Sequence, residues 1–278
     1  MSLESSIGIF DSGLGGLTVM RAIRARMPHE NIIYFGDTAH LPYGNKSRET
    51  ILRYSLENAA FLIAQGIKIL VIACNTSCSA ALEQVRKASP IPVIGITEQG
   101  VEEVLRLFPD GKVGLLGTRA TITSGIFQQQ ILSRSTTLEL FPISCPLFVP
   151  LVEEGYANHP IGTPIVQEYL RPLKNRDIRG VLLGCTHYPL LQASIQQELG
   201  SDVQLLDPAI ACADKTLELL AANNLLNSSP SSPHYQFFVS DDPEKFRLLG
   251  NTFLNYPIEH VLQKCPHMIN NTTLDTPS

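Results

Sequence analysis

The feature that most restricts what this chain can fold into is an internal repeat. IGIFDSG begins at Ile7 and VGLLGTR at Val113, an offset of 106 residues. IIYF at Ile32 and LELF at Leu138 are separated by the same 106. The apolar runs in KILVIACNT and RGVLLGCTH end at Cys74 and Cys185, an offset of 111. One such match means little, but three in the same order predict a duplicated βα unit; solenoid repeats are much shorter. The runs Ile7–Phe10, Ile32–Phe35, Ile67–Ala73 and Val93–Ile96 in the first half, and Val113–Leu116, Leu138–Phe141, Val181–Leu183 and Val203–Leu206 in the second, are short and continuously apolar. That pattern suits parallel strands buried on both faces.

Between the runs lie stretches with helical spacing. From Arg48 to Gly66, residues Ile51, Leu52, Leu56, Ala59, Leu62 and Ile63 share one face, and Gly66 supplies the stop. Thr121–Ser133 and Pro189–Leu199 read the same way. Strand–helix alternation in two similar halves predicts an α/β fold: two doubly wound parallel-sheet domains related by a pseudo-twofold axis, with a site in the cleft between them. After Asp207-Pro208 no third copy begins. Ala211–Asn223 reads as a helix, 227–233 as a loop, Tyr235–Val239 as an edge strand and Asp242-Pro243-Glu244 as the capped start of a helix through Leu249. The expected division is residues 1–97 with 208–270 as one discontinuous domain, 98–207 as the second, and 271–278 as a disordered tail.

Charge and hydropathy exclude several roles. Lys and Arg number 21 against 26 Asp and Glu, a formal charge of −5, with no basic block. Nothing in that balance recommends nucleic acid or an anionic membrane as a partner. No apolar run approaches the roughly 18 residues of a spanning helix, and MSLESSIGIF lacks a secretory pattern, so a cytoplasmic location is expected. Six cysteines in such a chain are not expected to form disulfides. Cys74, Cys78, Cys185 and His187 could supply four zinc ligands, but the spacings do not match structural zinc pairs.

Ligands of open α/β sheets bind beyond the carboxyl ends of the strands. There the chain offers Asp11 to Gly16, then Asp37 and Leu41 to Gly44, then Cys74-Asn75-Thr76; the second half offers Thr118 with Thr121, Glu153, and Cys185-Thr186-His187. DSGLGG lacks both GxGxxG and the P-loop lysine, and Asp11 opposes a phosphate, so it reads as a turn able to hold a carboxylate through Ser12 and backbone N–H groups. Cys74 and Cys185 form the informative pair. Each follows a buried strand and precedes a turn toward a helix, where N-terminal N–H groups lower a thiol pKa. Two thiols facing across one cleft are what inversion at a single carbon requires: one removes the α-proton, the other delivers a proton from behind. The bland alternative is two buried strand-end cysteines.

IxIFDSGLGGLTV, YFGDTAxxPYG, CNTxxxA, CPLFxPLVEEG and GCTHYPLL, in this order from about residue 7 to 210, resemble the glutamate racemase family. The resemblance implies an isomerase that interconverts L- and D-glutamate without pyridoxal phosphate or metal, supplying D-glutamate for peptidoglycan. It implies that Cys74 and Cys185 are the acid/base thiols, acting on the D- and L-enantiomer respectively. Asp11 would assist Cys74; His187 with Glu153 would assist Cys185, although Glu153-Glu154 by itself reads as a solvated surface pair. Asp11, Ser12, Tyr43, Gly44, Asn75, Thr76, Thr118, Thr121, Thr186 and His187 would line the substrate site, with Asp37 as a supporting acid behind it. Cys78, Cys145, Cys212 and Cys265 are assigned to packing, and hinges are expected near Thr97 and Asp207. A homodimer is compatible with all of this. The short N-terminus leads us to expect activity without a cell-wall precursor as activator. The competing readings are a racemase for aspartate or another amino acid, a non-catalytic dicarboxylate-binding protein, and a zinc protein.

Overall fold

The structure is a computed structural model that describes residues 2–266 apart from 158 and 230. Among the described residues, ten strands form two sheets, parallel throughout. In the first, β1 (Ile7–Asp11), β2 (Ile32–Gly36), β3 (Ile69–Ile72) and β4 (Val93–Gly95) lie in the order β2-β1-β3-β4. In the second, β5 (Gly111–Gly117), β6 (Leu138–Ser144), β7 (Gly180–Gly184) and β8 (Gln204–Leu206) lie in the order β6-β5-β7-β8, the same arrangement. The register repeats as well. Ile7 pairs with Ile69 and Val113 with Gly180, so the offsets of 106 and 111 seen in the motifs are those of the central strand pair in each sheet. The flanking pair is displaced: Ile7 faces Ile32, but Val113 faces Leu140 rather than Leu138.

The helices form where the periodicity places them, with informative differences. The Ser47 side chain caps α2 (Arg48–Ala64) by accepting the Thr50 N–H. The stretch read as one helix from Thr121 to Ser133 is two, α5 (Arg119–Ser124) and α6 (Ile126–Leu132), because Gly125 adopts φ +67° and breaks the hydrogen-bond ladder. The chain passes to the second sheet through α4 (Ile96–Leu107) and returns through α10 (Pro208–Ala222), whose N-cap Asp207 accepts the Ala209 N–H.

The C-terminal segment joins the first sheet. β9 (Tyr235–Val239) pairs with β2 but is not at the edge, since the two-residue β10 (Leu262–Gln263) pairs on its far side. Two residues are too few to show periodicity. Helix α11 (Pro243–Leu254) runs a turn and a half beyond the predicted Leu249, burying Gly250, Phe253 and Leu254. The tail expected beyond 270 lies outside the described residues. A large apolar core spans both faces of the first sheet and reaches into the second through Leu116, Phe148, Val181 and Tyr188. A smaller cluster around Val113, Phe127 and Leu182 fills the second sheet's other face.

Candidate active site

Matched strand order brings the ends of β1, β3, β5 and β7 to one cavity of about 390 Å³ between the two sheets. Cys74, from the end of β3, and Cys185, from the end of β7, both line it. Ser12, Tyr43, Gly44, Asn75, Thr76, Thr118, Glu153, Thr186 and His187 share the wall. Asp11, Thr121 and Asp37 are buried behind that wall. Asp11 accepts the Gly13 N–H at 2.9 Å and the Thr186 hydroxyl at 3.3 Å, tying the first turn to the second half. Thr121 lies within 3.2 Å of the Thr76 hydroxyl and 3.0 Å of that of Thr118. Asp37 accepts the Tyr43 hydroxyl, and the Ser240 hydroxyl at 2.8 Å, so it holds the tyrosine in place.

The two thiols are topologically equivalent but electrostatically different. Cys74 is the N-cap of α3 (Asn75–Ala88), its sulfur accepting the Ser77 N–H at 3.4 Å and lying 3.7 Å from the Ser12 hydroxyl. A lowered pKa was expected there. Burial instead pushes the thiol up to about 11, with the Asp11 charge adding to it, because desolvation outweighs the amide and hydroxyl contacts. Cys185 has no such helix end. It is followed by a 3-10 turn, Tyr188–Leu191, with Pro189 in its first positions, and α9 (Gln192–Leu199) begins only afterwards. Proline has no N–H to offer. In its place stands His187, whose Nδ1 is 3.9 Å from the sulfur and whose Nε2 is 2.9 Å from Glu153 Oε1. Burial pulls the imidazolium toward neutrality, but the hydrogen bonds and charges of Cys185 and Glu153 outweigh it and hold its pKa at about 10. His187 therefore sets a positive charge beside the Cys185 sulfur.

One donor on the wall is unused. The Asn75 Nδ2 is buried without a hydrogen-bond partner, while Oδ1 accepts the Thr97 hydroxyl at 3.4 Å. A buried unpaired amide is costly, and on a cavity wall it is suited to an acceptor on a ligand. The four potential zinc ligands do not converge: among the described residues no group of three or more His, Cys, Asp or Glu is placed to hold a metal ion. Cys78 donates to the Ile72 carbonyl, and burial pushes it up to about 12. Cys145 and Cys212 are also buried, whereas Cys265 is exposed and does not contribute to packing inside the protein.

Sequence reasoning missed one side of the cavity. Pro146, Leu147, Val149 and Pro150, on and before α7 (Phe148–Glu153), supply an apolar wall, and Leu41, Pro42, Asn45 and Arg119 complete the rim. The CPLFxPLVEEG motif contained that wall, but a six-residue helix with an internal proline has no legible periodicity.

A parallel two-sheet α/β protein with a cavity between duplicated halves is the class these features define. The model of the Asp/Glu/Hydantoin racemase family matches residues 17–216, and the chain belongs to that family. Its relatives include glutamate racemases from Chlorobaculum tepidum, 45% identical over 94% of this chain and 96% of the relative, and from Syntrophus aciditrophicus, 45% identical over 89% and 92%. Among solved structures, the glutamate racemase of Francisella tularensis in complex with D-glutamate superposes with a TM-score of 0.90 at 39% identity, covering 96% of this chain and 99% of that one. An aspartate racemase homologue from Pyrococcus horikoshii, 20% identical with a TM-score of 0.54, shares the fold. Among the described residues no helix is long and apolar enough to cross a membrane.

Proposed function

We propose that this protein is an isomerase that interconverts L- and D-glutamate by proton transfer at the α-carbon between two thiols, with D-glutamate the product used for peptidoglycan. The observation that carries this reading is that Cys74 and Cys185, at equivalent ends of β3 and β7, line one cavity. For L-glutamate, Cys185 as thiolate takes the α-proton on one face and Cys74 as thiol gives its proton to the other; the C–H bond broken on one side is replaced by one formed on the opposite side. The reverse reaction, starting from D-glutamate, exchanges the roles; before a second L-glutamate can react, Cys185 gives up the proton it took and Cys74 regains one, by exchange with water. The asymmetry of the two thiols suits that start, since Cys74 is held protonated and Cys185 faces an imidazolium. Asp11 keeps the turn bearing Ser12 in place.

The α-proton of an amino acid is far less acidic than a thiol, so the carbanionic transition state must be met by preorganised donors in a site shielded from water. The free Asn75 amide, the hydroxyls of Thr76, Thr118 and Thr186, and the turn at Tyr43-Gly44 are the groups available for the substrate's carboxylates. Shielding from water follows if the first sheet with its C-terminal extension closes on the second about Thr97 and Asp207. Glutamate is favoured over aspartate because the well-covered relatives at 39–45% identity are glutamate racemases. The enzyme works in the cytoplasm, and two copies pair as a homodimer.

The test is incubation of purified protein, stripped of metal and pyridoxal phosphate, with each enantiomer in D2O. Loss of optical activity with deuterium entering the α-position supports the reading. Tight binding of glutamate without exchange points to a dicarboxylate-binding protein instead.

A further inference from the structure

We propose that Phe253, on the C-terminal helix α11, is a positioning residue for His187. The inference rests on the reading of His187 as the partner of Cys185. His187 belongs to the second half of the repeat, in the turn after β7. Phe253 belongs to neither copy; α11 packs against the first half, with Gly250 close to Leu14 and Leu17. The rings of His187 and Phe253 meet with centroids 5.5 Å apart at 84°. Phe253 is 2% exposed and forms no part of the cavity wall, so it does not touch a substrate there.

The other sides of the imidazole are equally constrained. Glu153 takes Nε2 at 2.9 Å. Gly15, in the first turn of the first half, approaches so closely that a Cβ there would lie 2.5 Å from Nδ1 and 2.7 Å from Cε1. The Thr18 hydroxyl lies 3.2 Å from the Thr186 carbonyl, anchoring the residue before it. Three groups from outside its own sheet strand therefore hold the ring, and what they leave open is the line from Nδ1 to Cys185. At 3.9 Å that contact is near the outer limit of a sulfur hydrogen bond, so a rotation of 10–20° is enough to lose it. An edge-to-face neighbour sets a ring's plane, which an aliphatic side chain of similar volume does not. The C-terminal segment, absent from the duplicated unit, thus completes the chemistry on the Cys185 side alone. The groups that share the charge of His187 are Glu153, Cys185 and Asp11, and α11 brings only the phenyl ring to it.

The experiment uses the full chain carrying Phe253→Leu, with Phe253→Met as the second variant should the first fail to fold. Steady-state racemisation is measured in both directions, and the His187 ring is titrated by NMR with 15N-labelled histidine. The expected result is a kcat at least fivefold lower in both directions, a KM within twofold of wild type, and a His187 titration displaced downward from about 10. A kcat within twofold of wild type, an unmoved titration, or a KM that rises in step with the loss of kcat overturns the proposal. Wild-type protein that does not racemise glutamate overturns the functional reading instead, and the NMR titration still reports whether Phe253 sets the state of His187.

Discussion

The hydroxyl of Thr76, which follows β3 of the first sheet, lies 2.9 Å from the hydroxyl of Thr118, which follows β5 of the second. Thr121 closes the triangle at 3.2 and 3.0 Å. All three are buried and join the two halves at the cavity. Three hydroxyls share three protons among themselves and can turn them toward an arriving carboxylate. Thr76→Val preserves the shape and removes one donor. A hydrogen bond to a charged group is worth about 1.5–3 kcal/mol, so KM for glutamate is expected to rise roughly tenfold or more, read by steady-state kinetics with each enantiomer.

Replacing Cys74 or Cys185 by Ser removes an acid/base group without emptying its space. Positioned acid/base groups contribute roughly 10²–10⁴ in rate, and a hydroxyl is a far poorer proton exchanger at neutral pH. Each variant is expected to lose at least about a hundredfold in racemisation, followed by circular dichroism of the substrate. Full activity in both directions for either variant removes that residue from the mechanism.

The His187 pKa is raised in the folded protein, from an ordinary value near 6.5 to about 10. A raised pKa means that the imidazolium contributes stability in full below about 6.5, and that this contribution fades as pH climbs through about 10. Glu153→Gln removes one of the two partners that hold the charge. The melting temperature of wild type should therefore exceed that of the variant at pH 6 to 8 and approach it above pH 10, with wild-type activity falling over the same alkaline range. A constant difference across pH 6–11 contradicts the assignment.

Gly15→Ala tests the close approach directly. The added methyl meets Thr186 Oγ1 at 2.2 Å and His187 Nδ1 at 2.5 Å, and both belong to the cavity wall. Overpacking of this kind costs about 1–3 kcal/mol, and here it displaces the imidazole from Cys185. Activity is expected to fall more than stability does, as judged by kcat beside a urea denaturation curve.

Far from the cavity, Lys68 and Glu30 form a fully buried ion pair at 2.6 Å. The ammonium also donates to the carbonyls of Leu3 at 2.7 Å and Leu225 at 2.8 Å, while Glu30 accepts the Asn227 N–H. The pair fastens the N-terminal residues and the segment after α10 to the first sheet. Glu30→Gln leaves a buried cation without its counter-charge, a change that costs about 3–5 kcal/mol. Urea denaturation should reveal that loss, while activity at 25 °C stays near wild type.

Much of the architecture was legible in the chain because a buried parallel strand advertises itself as a short apolar run. The offsets of 106 and 111 residues, read from IGIFDSG, VGLLGTR and the two strand-end cysteines, reappear as the pairings of Ile7 with Ile69 and Val113 with Gly180. Those pairings oblige Cys74 and Cys185 to occupy equivalent positions. Local patterning also indicated the cap at Asp242, since a short polar side chain before Pro243-Glu244 satisfies free N–H groups; the caps at Ser47 and Asp207 emerge only in the structure. It could not indicate α7, β10 or the break at Gly125, where too few residues, an internal proline or one left-handed glycine override periodicity.

What residues 7–207 determine by themselves is a duplicated α/β frame with a thiol at the same point in each copy, because side-chain period and strand length are local properties. The copies already differ locally, in Cys74-Asn75-Thr76 against Cys185-Thr186-His187, but only the tertiary structure builds the surroundings of His187. It turns Glu153 rather than its exposed neighbour Glu154 toward His187, and brings Phe253 from the far end of the chain against the same ring. Those distances, across 34 to 66 positions of sequence, depend on how two sheets and a C-terminal helix dock, which no local pattern encodes.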